Sequence, residues 1–209
     1  MHHSHEIIQN DPHEGFYNLW KNYSSSIDDV NDQNKFTDES QYTYGYLKPK
    51  GVAKLIDEYT KHSENHAYPS HFLDIGSGLG MPNIIMVVLV PHLSSSNGIE
   101  LSTERYKISQ KVKRDLNIHY RKKLHFYNQN MLKYPYYQHA DMIWISNLCL
   151  SDKINEELSE LLRYYVKPKT QIFTSKPLIV HSRYLINKFE AQQSWNDTSI
   201  IYHYLFVHE

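Results

Sequence analysis

Cysteine is nearly missing from this 209-residue sequence. The single one, Cys149, excludes an intramolecular disulfide and suits a reducing compartment. Long apolar runs are missing as well. The longest, the interrupted stretch Ile84 to Val90, falls far short of a membrane span, so no membrane association is expected. The N-terminus, Met1-His2-His3-Ser4-His5-Glu6, has no basic segment ahead of an apolar core, which argues against the usual secretion signal. Together these point to a cytoplasmic or otherwise intracellular protein, with a nuclear or host-targeted location left open. A surplus of either charge is also missing. Twenty-two lysines and arginines face 23 acids for a formal net charge of -1, which leaves no global field to draw the chain onto nucleic acid or a membrane. His2, His3, His5 and His13 have no cysteine or acidic partner at metal-site spacing, so no metal is expected.

Glycine is scarce, 7 in all, yet three glycines fall at alternate positions in Phe72-Leu73-Asp74-Ile75-Gly76-Ser77-Gly78-Leu79-Gly80-Met81-Pro82. An apolar strand runs into an acid and a glycine-rich turn, and Pro82 opens an apolar helix in the first turn, where a missing N–H costs nothing. Glycines let a ligand approach the backbone, and the helix start offers free N–H groups. A dinucleotide fold would want glycine three residues after the second one, where this chain has Met81. The pattern Asp-x-Gly-x-Gly-x-Gly instead resembles the first motif of class I methyltransferases that use S-adenosylmethionine. That resemblance implies that Asp74, Gly76, Ser77 and Gly78 hold the methionine end. It also implies an acid at the end of the next strand for the ribose, and Asn97-Gly98-Ile99-Glu100 supplies Glu100.

The rest of the chain fits this frame. Phe16, Tyr17, Leu19, Trp20 and Tyr23 read as a docked helix, followed by a polar loop over Asp28 to Lys35. Tyr44-Gly45 sits in a loop before a helix from about Lys50 to Lys61, placed to act as a cofactor lid. The expected division is an N-terminal helical extension with the lid loop over 1–69 and a cofactor-binding domain over 70–209. Ser102 is a good cap for a helix to about Asn117, packed through Ile108, Val112 and Leu116. The stretch Arg105 to Lys123 holds the one concentrated basic patch. A charged helix face is usually just solvated, so a nucleic-acid or acidic partner is a minority reading there.

A third strand over Lys123 to Asn130 leads to Asn130 and Met131, candidates for the adenine amine and ring; a turn asparagine with a core methionine is the equally plain alternative. A fourth strand, Asp141 to Ile145, delivers Ser146 and Asn147 to the crevice at the strand ends. A helix capped by Ser151 or Asp152 follows, with the apolar face Ile154, Leu158, Leu161, Leu162 and Tyr165. Then come a fifth strand over Gln171 to Thr174 and an antiparallel pair at about Lys188 to Trp195 and Ile200 to Val207. The expected architecture is a seven-stranded Rossmann-like α/β sheet with helices on both faces.

From about Tyr44 to His208 the sequence resembles one family, the disruptor-of-telomeric-silencing type of non-SET histone H3 lysine methyltransferases. The likeness rests on Tyr44-Gly45 with Val52 to Glu58, Phe72 to Gly80, Gly98-Ile99-Glu100, Ile145 to Leu150, Ser175-Lys176-Pro177, Ser194-Trp195 and Tyr204-Leu205. It implies S-adenosylmethionine as cofactor and a protein substrate presenting a lysine, a histone among the candidates. It also implies a methyl-transfer site built from Asn147, Ser146, Trp195, Tyr204 and His203, with Tyr202 as a further channel aromatic. The chain departs from the pattern in four places. Tyr46 replaces a lid glutamate, Asn130 replaces an acid, Ser146-Asn147 replaces an Asn-Asn pair, and His203 stands at the place of a channel tyrosine. The sequence also ends at Glu209 without the basic tail that eukaryotic relatives use on nucleosomes, so the chemistry would be kept on a changed substrate. Transfer to RNA or a small amine, and cofactor binding without turnover, are the rival readings.

Overall fold

The computed structural model describes residues 46–194 and 196–206. Seven strands form one sheet in the order β3-β2-β1-β4-β5-β7-β6. They are β1 (His71–Ile75), β2 (Ser95–Glu100), β3 (Leu124–Asn128), β4 (Met142–Ile145), β5 (Gln171–Thr174), β6 (Leu185–Ala191) and β7 (Ser199–Leu205). The first five are parallel, and β7 is antiparallel to both β5 and β6. The strand order reverses at β1, which opens a crevice between the carboxyl ends of β1 and β4. The sheet expected from the sequence is the sheet present.

Helices α1 (Pro49–His62), α2 (Met81–Leu89) and α3 (Thr103–Asp115) cover one face; α4 (Ile118–Arg121) is a single turn after them, and α5 (Asp152–Tyr165) covers the other face. Each boundary has a local cause. In α3 the Ser102 hydroxyl accepts from the Arg105 N–H, Glu104 lies in the first turn and Lys113 and Arg114 in the last, all favourable to the helix dipole. In α5 the Ser151 hydroxyl caps the N–H of Ile154. The central strands β4 and β5 are buried along their whole length, so alternation divides their side chains between two cores. Met142, Trp144 and Phe173 join Leu55, Ile85 and Val112 on the α1–α3 face, and Ile143, Ile145 and Ile172 join Leu158 and Leu162 on the α5 face.

Two expectations need correction. Tyr165 is 59% exposed, and the inward face of α5 runs through Asn155, Leu158, Ser159 and Leu162 instead. The sixth strand lies earlier than expected, at Leu185–Ala191, with a register shift between Leu185 and Asn187. Residues 46–69 are integral to the core, because Leu47, Val52, Leu55, Ile56 and Tyr59 pack in the same cluster as Phe72 of β1. The expected N-terminal helix at Phe16 to Tyr23 and the histidines before it lie outside the described residues.

Gly80 shows how tightly the turn is set. It caps α2 at φ 86°, and an added Cβ would stand 2.4 Å from the Phe126 ring, itself in the core. Left-handed backbone costs a non-glycine residue about 1–2 kcal/mol, and overpacking about 1–3 more. Gly80→Ala is therefore expected to lower stability by about 2–5 kcal/mol, read as a shift of the urea midpoint at constant slope.

Candidate active site

The site is assembled where β1 and β2 end. Beyond Ile75 the chain turns back on β2, with Gly76 and Ser77 both donating backbone N–H groups to the Ile99 carbonyl at 2.9 Å. The next N–H, that of Gly78, donates to Glu100 Oε2 at 2.7 Å, and Glu100 Oε1 accepts from the Ser102 N–H at 2.7 Å. Glu100 thus clamps the glycine turn to the start of α3. With the Leu101 N–H also directed at the carboxylate, three of its roughly four acceptor sites are used, which leaves room for a further donor such as a ribose hydroxyl.

Asp74 lies beneath this turn with 1% of its surface exposed, and neither carboxylate oxygen has a hydrogen-bond partner. Burial, and then the charge of Glu100, hold its carboxyl well above the usual carboxylate range. Glu100 is also raised by burial, opposed by Arg105 and by the backbone N–H groups of Ser102, Gly78 and Leu101. Asp74, buried and without a hydrogen-bond partner, therefore offers an electrostatic well for a cation. Gly76, at φ 78°, has no atom within 4 Å of the place a Cβ would take, so the turn is open on the side where a ligand would pass. The Ser77 hydroxyl is another buried polar atom without a partner.

β3 is tied to the same corner. The Gln129 N–H and the Asn128 side-chain amide both donate to the Glu100 carbonyl, at 3.1 and 3.0 Å. Asn130 and Met131 follow directly. The Asn130 side-chain oxygen accepts from the Leu132 N–H at 2.9 Å, so an adenine amine would have to use the second lone pair of that oxygen. Met131 is half-buried against the α5-face core. S-adenosylmethionine, with a cationic methionine end, two ribose hydroxyls and an adenine ring, fits Asp74 with the open turn, Glu100, and Asn130 with Met131 in that order.

The methyl-transfer residues are distributed differently. Ser146 is half-buried and directly follows the carboxyl end of β4. Asn147 is fully buried. Its side-chain amide donates to Asn155 Oδ1 at 2.8 Å and to the Lys176 carbonyl at 2.9 Å, and its oxygen accepts from the Lys176 N–H at 2.8 Å. With both donors spent, Asn147 cannot hold a substrate amine as a hydrogen-bond donor; it welds the Ser175-Lys176-Pro177 turn to α5. Asn155 completes the weld by donating to the Pro177 carbonyl at 2.9 Å. It escaped the sequence reading, although Asn155 and Ser159, four apart on a helix, are a recognisable inward polar pair. Asn147→Ala removes three buried hydrogen bonds and is expected to cost about 2–4 kcal/mol. Cofactor affinity should change little, because Gly78 and Glu100 keep their bond; a melt and a calorimetric titration read the two effects separately.

Tyr204 is buried on the α5 face, and its hydroxyl accepts from the Leu178 N–H at 3.0 Å, so it braces the same turn from below. His203 corrects the sequence reading outright. Alternation along β7 places it on the opposite face, stacked on Phe173 with ring centroids 4.1 Å apart and edge-on to His62 at 5.0 Å. It is fully buried and bonded through Nε2 to Gln171 Oε1 at 2.8 Å, so it takes no part in a channel at the strand ends. Tyr202 pairs with Thr174 at the carboxyl end of β5 and stays half-buried. Tyr44, Gly45 and Trp195 lie outside the described residues. Their neighbours do meet: Ser194 N–H donates to the Tyr46 carbonyl at 2.8 Å, Tyr46 N–H donates to Ser194 Oγ at 3.2 Å, and Lys48 pairs with Asp197 at 2.9 Å.

Residues 23–204 match the family described as histone methylation protein DOT1. The chain belongs to the DOT1 family. It has the class I fold of S-adenosylmethionine-dependent methyltransferases, which solved structures share at low identity. The glycopeptide N-methyltransferase MtfA, complexed with S-adenosyl-L-methionine, aligns at 14% identity and a TM-score of 0.50 over 76% of this chain and 67% of its own. The plantazolicin methyltransferase BpumL, in complex with a pentazolic desmethylPZN analog and SAH, aligns at 21% identity and 0.49 over 82% and 55%. Residues 961–1257 of the StiE O-methyltransferase align at 14% and 0.46, and the DOT1-family chain covers 42% of that structure's length. No curated protein sequence matches the chain. Among the described residues no helix is long and apolar enough to cross a membrane.

Proposed function

We propose that this DOT1-family protein is an S-adenosylmethionine-dependent protein-lysine N-methyltransferase, acting on a lysine of a histone or of another protein. The observation that carries the reading is the buried Asp74 carboxylate, without a partner, beside the Glu100 clamp and under the open side of Gly76. The family's description as a histone methylation protein supports lysine as the acceptor. When bound, S-adenosylmethionine supplies a methyl group activated on a sulfonium.

The residues of the chain would do the rest. A lysine amine with an unperturbed pKa of about 10.4 has to be neutral to attack, and an apolar aromatic channel favours the neutral form by desolvation. Tyr202 is suited to line such a channel, and its ring already meets an ammonium, that of Lys188, 5.3 Å from the centroid. The Ser146 hydroxyl would orient the amine, while Asn147, Asn155 and Tyr204 hold the neighbouring turn in place. Alignment of this kind is worth on the order of 7–11 kcal/mol, so no strong base is required. We further propose that residues 1–69 act as a lid-bearing extension of a methyltransferase domain at 70–209, with α1 as its anchored end, and that the protein works in an intracellular, reducing compartment.

The test is incubation with methyl-labelled cofactor and three pools: histone octamers with nucleosomes, total soluble protein, and total RNA. Methyl-lysine in the hydrolysate of either protein pool is the expected result. Label confined to RNA would replace the lysine reading, and cofactor binding with no label in any pool would leave a small-amine acceptor or a binding protein in place of it.

A further inference from the structure

The stretch 103–125 contains α3, α4 and the start of β3. It carries eight lysines and arginines against two acids, Glu104 and Asp115. Its formal charge of +6 sits in a chain whose total is -1, so the remaining residues together carry -7. The fold gathers this charge at one end. α3 rises about 20 Å from its cap beside the cofactor crevice to Asp115. Lys113, Arg114, Arg121, Lys122 and Lys123 then meet where α3 ends, α4 turns and β3 begins. This corner lies at the opposite end of β3 from Asn130, roughly 16 Å along the strand.

Two of these cations are bonded to neutral acceptors. Arg121 Nη1 donates to the Arg114 carbonyl at 3.3 Å and Lys123 Nζ to the Pro91 carbonyl at 2.6 Å, both neutral acceptors. Lys107, further up α3, is paired with Glu104 at 2.7 Å. The corner cations also repel one another. The Lys113 ammonium is pushed down by burial and by Arg121, and His125 by burial and by Lys113. A surface that confronts like charges in this way is best matched by a ligand of dense, regular negative charge. Duplex nucleic acid presents one phosphate charge per about 1.7 Å of axis, whereas protein surfaces intersperse both signs.

We propose that the corner formed by the end of α3, α4 and the start of β3 binds the phosphate backbone of a nucleic acid without reading its sequence. Being remote from the crevice, it would tether the protein to a nucleic-acid-bearing target rather than hold the methyl acceptor.

Fluorescence anisotropy of the full chain with a labelled random-sequence DNA duplex tests this, and neither arm depends on methyl transfer. The exposed residues Arg114, Arg121 and Lys122 are changed together to glutamine. The control changes exposed Lys50, Lys133 and Lys153 together in the same way. Calorimetric cofactor binding confirms that each variant is folded. The expected result is measurable duplex binding at about 50 mM salt, at least tenfold weaker in the first variant and unchanged in the control. The slope of log affinity against log salt should also be shallower by about 2–3 in the first variant, close to one unit per lost phosphate contact. Absence of duplex binding at low salt, or equal loss in both variants, would overturn the proposal. Polyglutamate bound as tightly as the duplex, with the same loss in the first variant, would reassign the corner to an acidic protein.

Discussion

Glu100→Ala is expected to abolish measurable S-adenosylmethionine binding and to lower the stability of the protein at the same time. The carboxylate serves two masters inside the fold, the Gly78 N–H and the Ser102 N–H, each at 2.7 Å. Alanine would strand both donors in a buried place, at a cost of about 1–3 kcal/mol each. Glu100→Gln separates the two consequences. Its side-chain oxygen can still accept from one N–H, while its amide opposes the other, so stability should fall by about half as much. What it removes entirely is the negative charge that helps to hold the Asp74 carboxyl up. Asp74 is the readout. A carboxyl raised in the free protein and brought down by the cationic end of a ligand releases a proton on binding, and affinity then rises with pH until the free-state pKa is passed. Calorimetry in two buffers of different protonation enthalpy measures that proton. Wild type should release proton on binding, Glu100→Gln less than wild type, and Asp74→Asn none. Wild-type affinity in Glu100→Ala would mean that the cofactor does not use this corner.

What could be read in advance followed the range of the interactions involved. The glycine turn was legible because its requirements are local. Gly76, Gly78 and Gly80 all have positive φ, at 78°, 55° and 86°, and their spacing from Asp74 is a property of the turn itself. The cap Ser102 was legible for the same reason, and the second cap was narrowed to Ser151 or Asp152, of which Ser151 is the one present. The seven-stranded sheet followed from the motif rather than from the residues of β6, an edge strand whose burial scarcely alternates and whose start was misplaced accordingly. Asn147 and His203 were not legible, because their roles depend on which face of the sheet they meet. Period two puts 202 and 204 together against 203, but nothing in the sequence says which side holds the Ser175-Lys176-Pro177 turn. The face of α5 was rotated by about one residue for a related reason. Apolar residues attracted the assignment, while Asn155 and Ser159 are buried because the turn after β5 supplies them with partners, a long-range fact.

His203 has consequences for stability against acid, and the sign can be worked out from its surroundings. Its ring is stacked on Phe173, and its Nε2–H is assigned to Gln171 Oε1, since that amide oxygen can only accept. Nδ1 is buried without a partner. Burial, and then the proximity of His62, push the imidazole down to about 3, against a smaller opposing pull from Glu58. Glu58 is itself occupied by Lys54, Lys61 and the Asn187 side-chain amide, at 2.9, 2.7 and 3.0 Å, so little of its charge is left for the ring. A base whose folded pKa lies below its unfolded value of 6.5 binds its proton first in the unfolded chain. Its contribution is therefore complete above pH 6.5 and drains away as the pH falls from there to about 3. The loss is about 1.4 kcal/mol per unit, amounting to about 4 kcal/mol by the acid end of that window, a large share of the stability of a domain this size. Asp74 acts in the opposite direction in the ligand-free protein, costing stability as the pH rises above its ordinary value of 3.8. His203→Gln keeps a donor for Gln171 but cannot titrate. Its urea-unfolding free energy should lie below wild type at neutral pH and lose the acid slope, so that the two curves converge near the bottom of the window. Parallel curves for variant and wild type would place the acid sensitivity elsewhere.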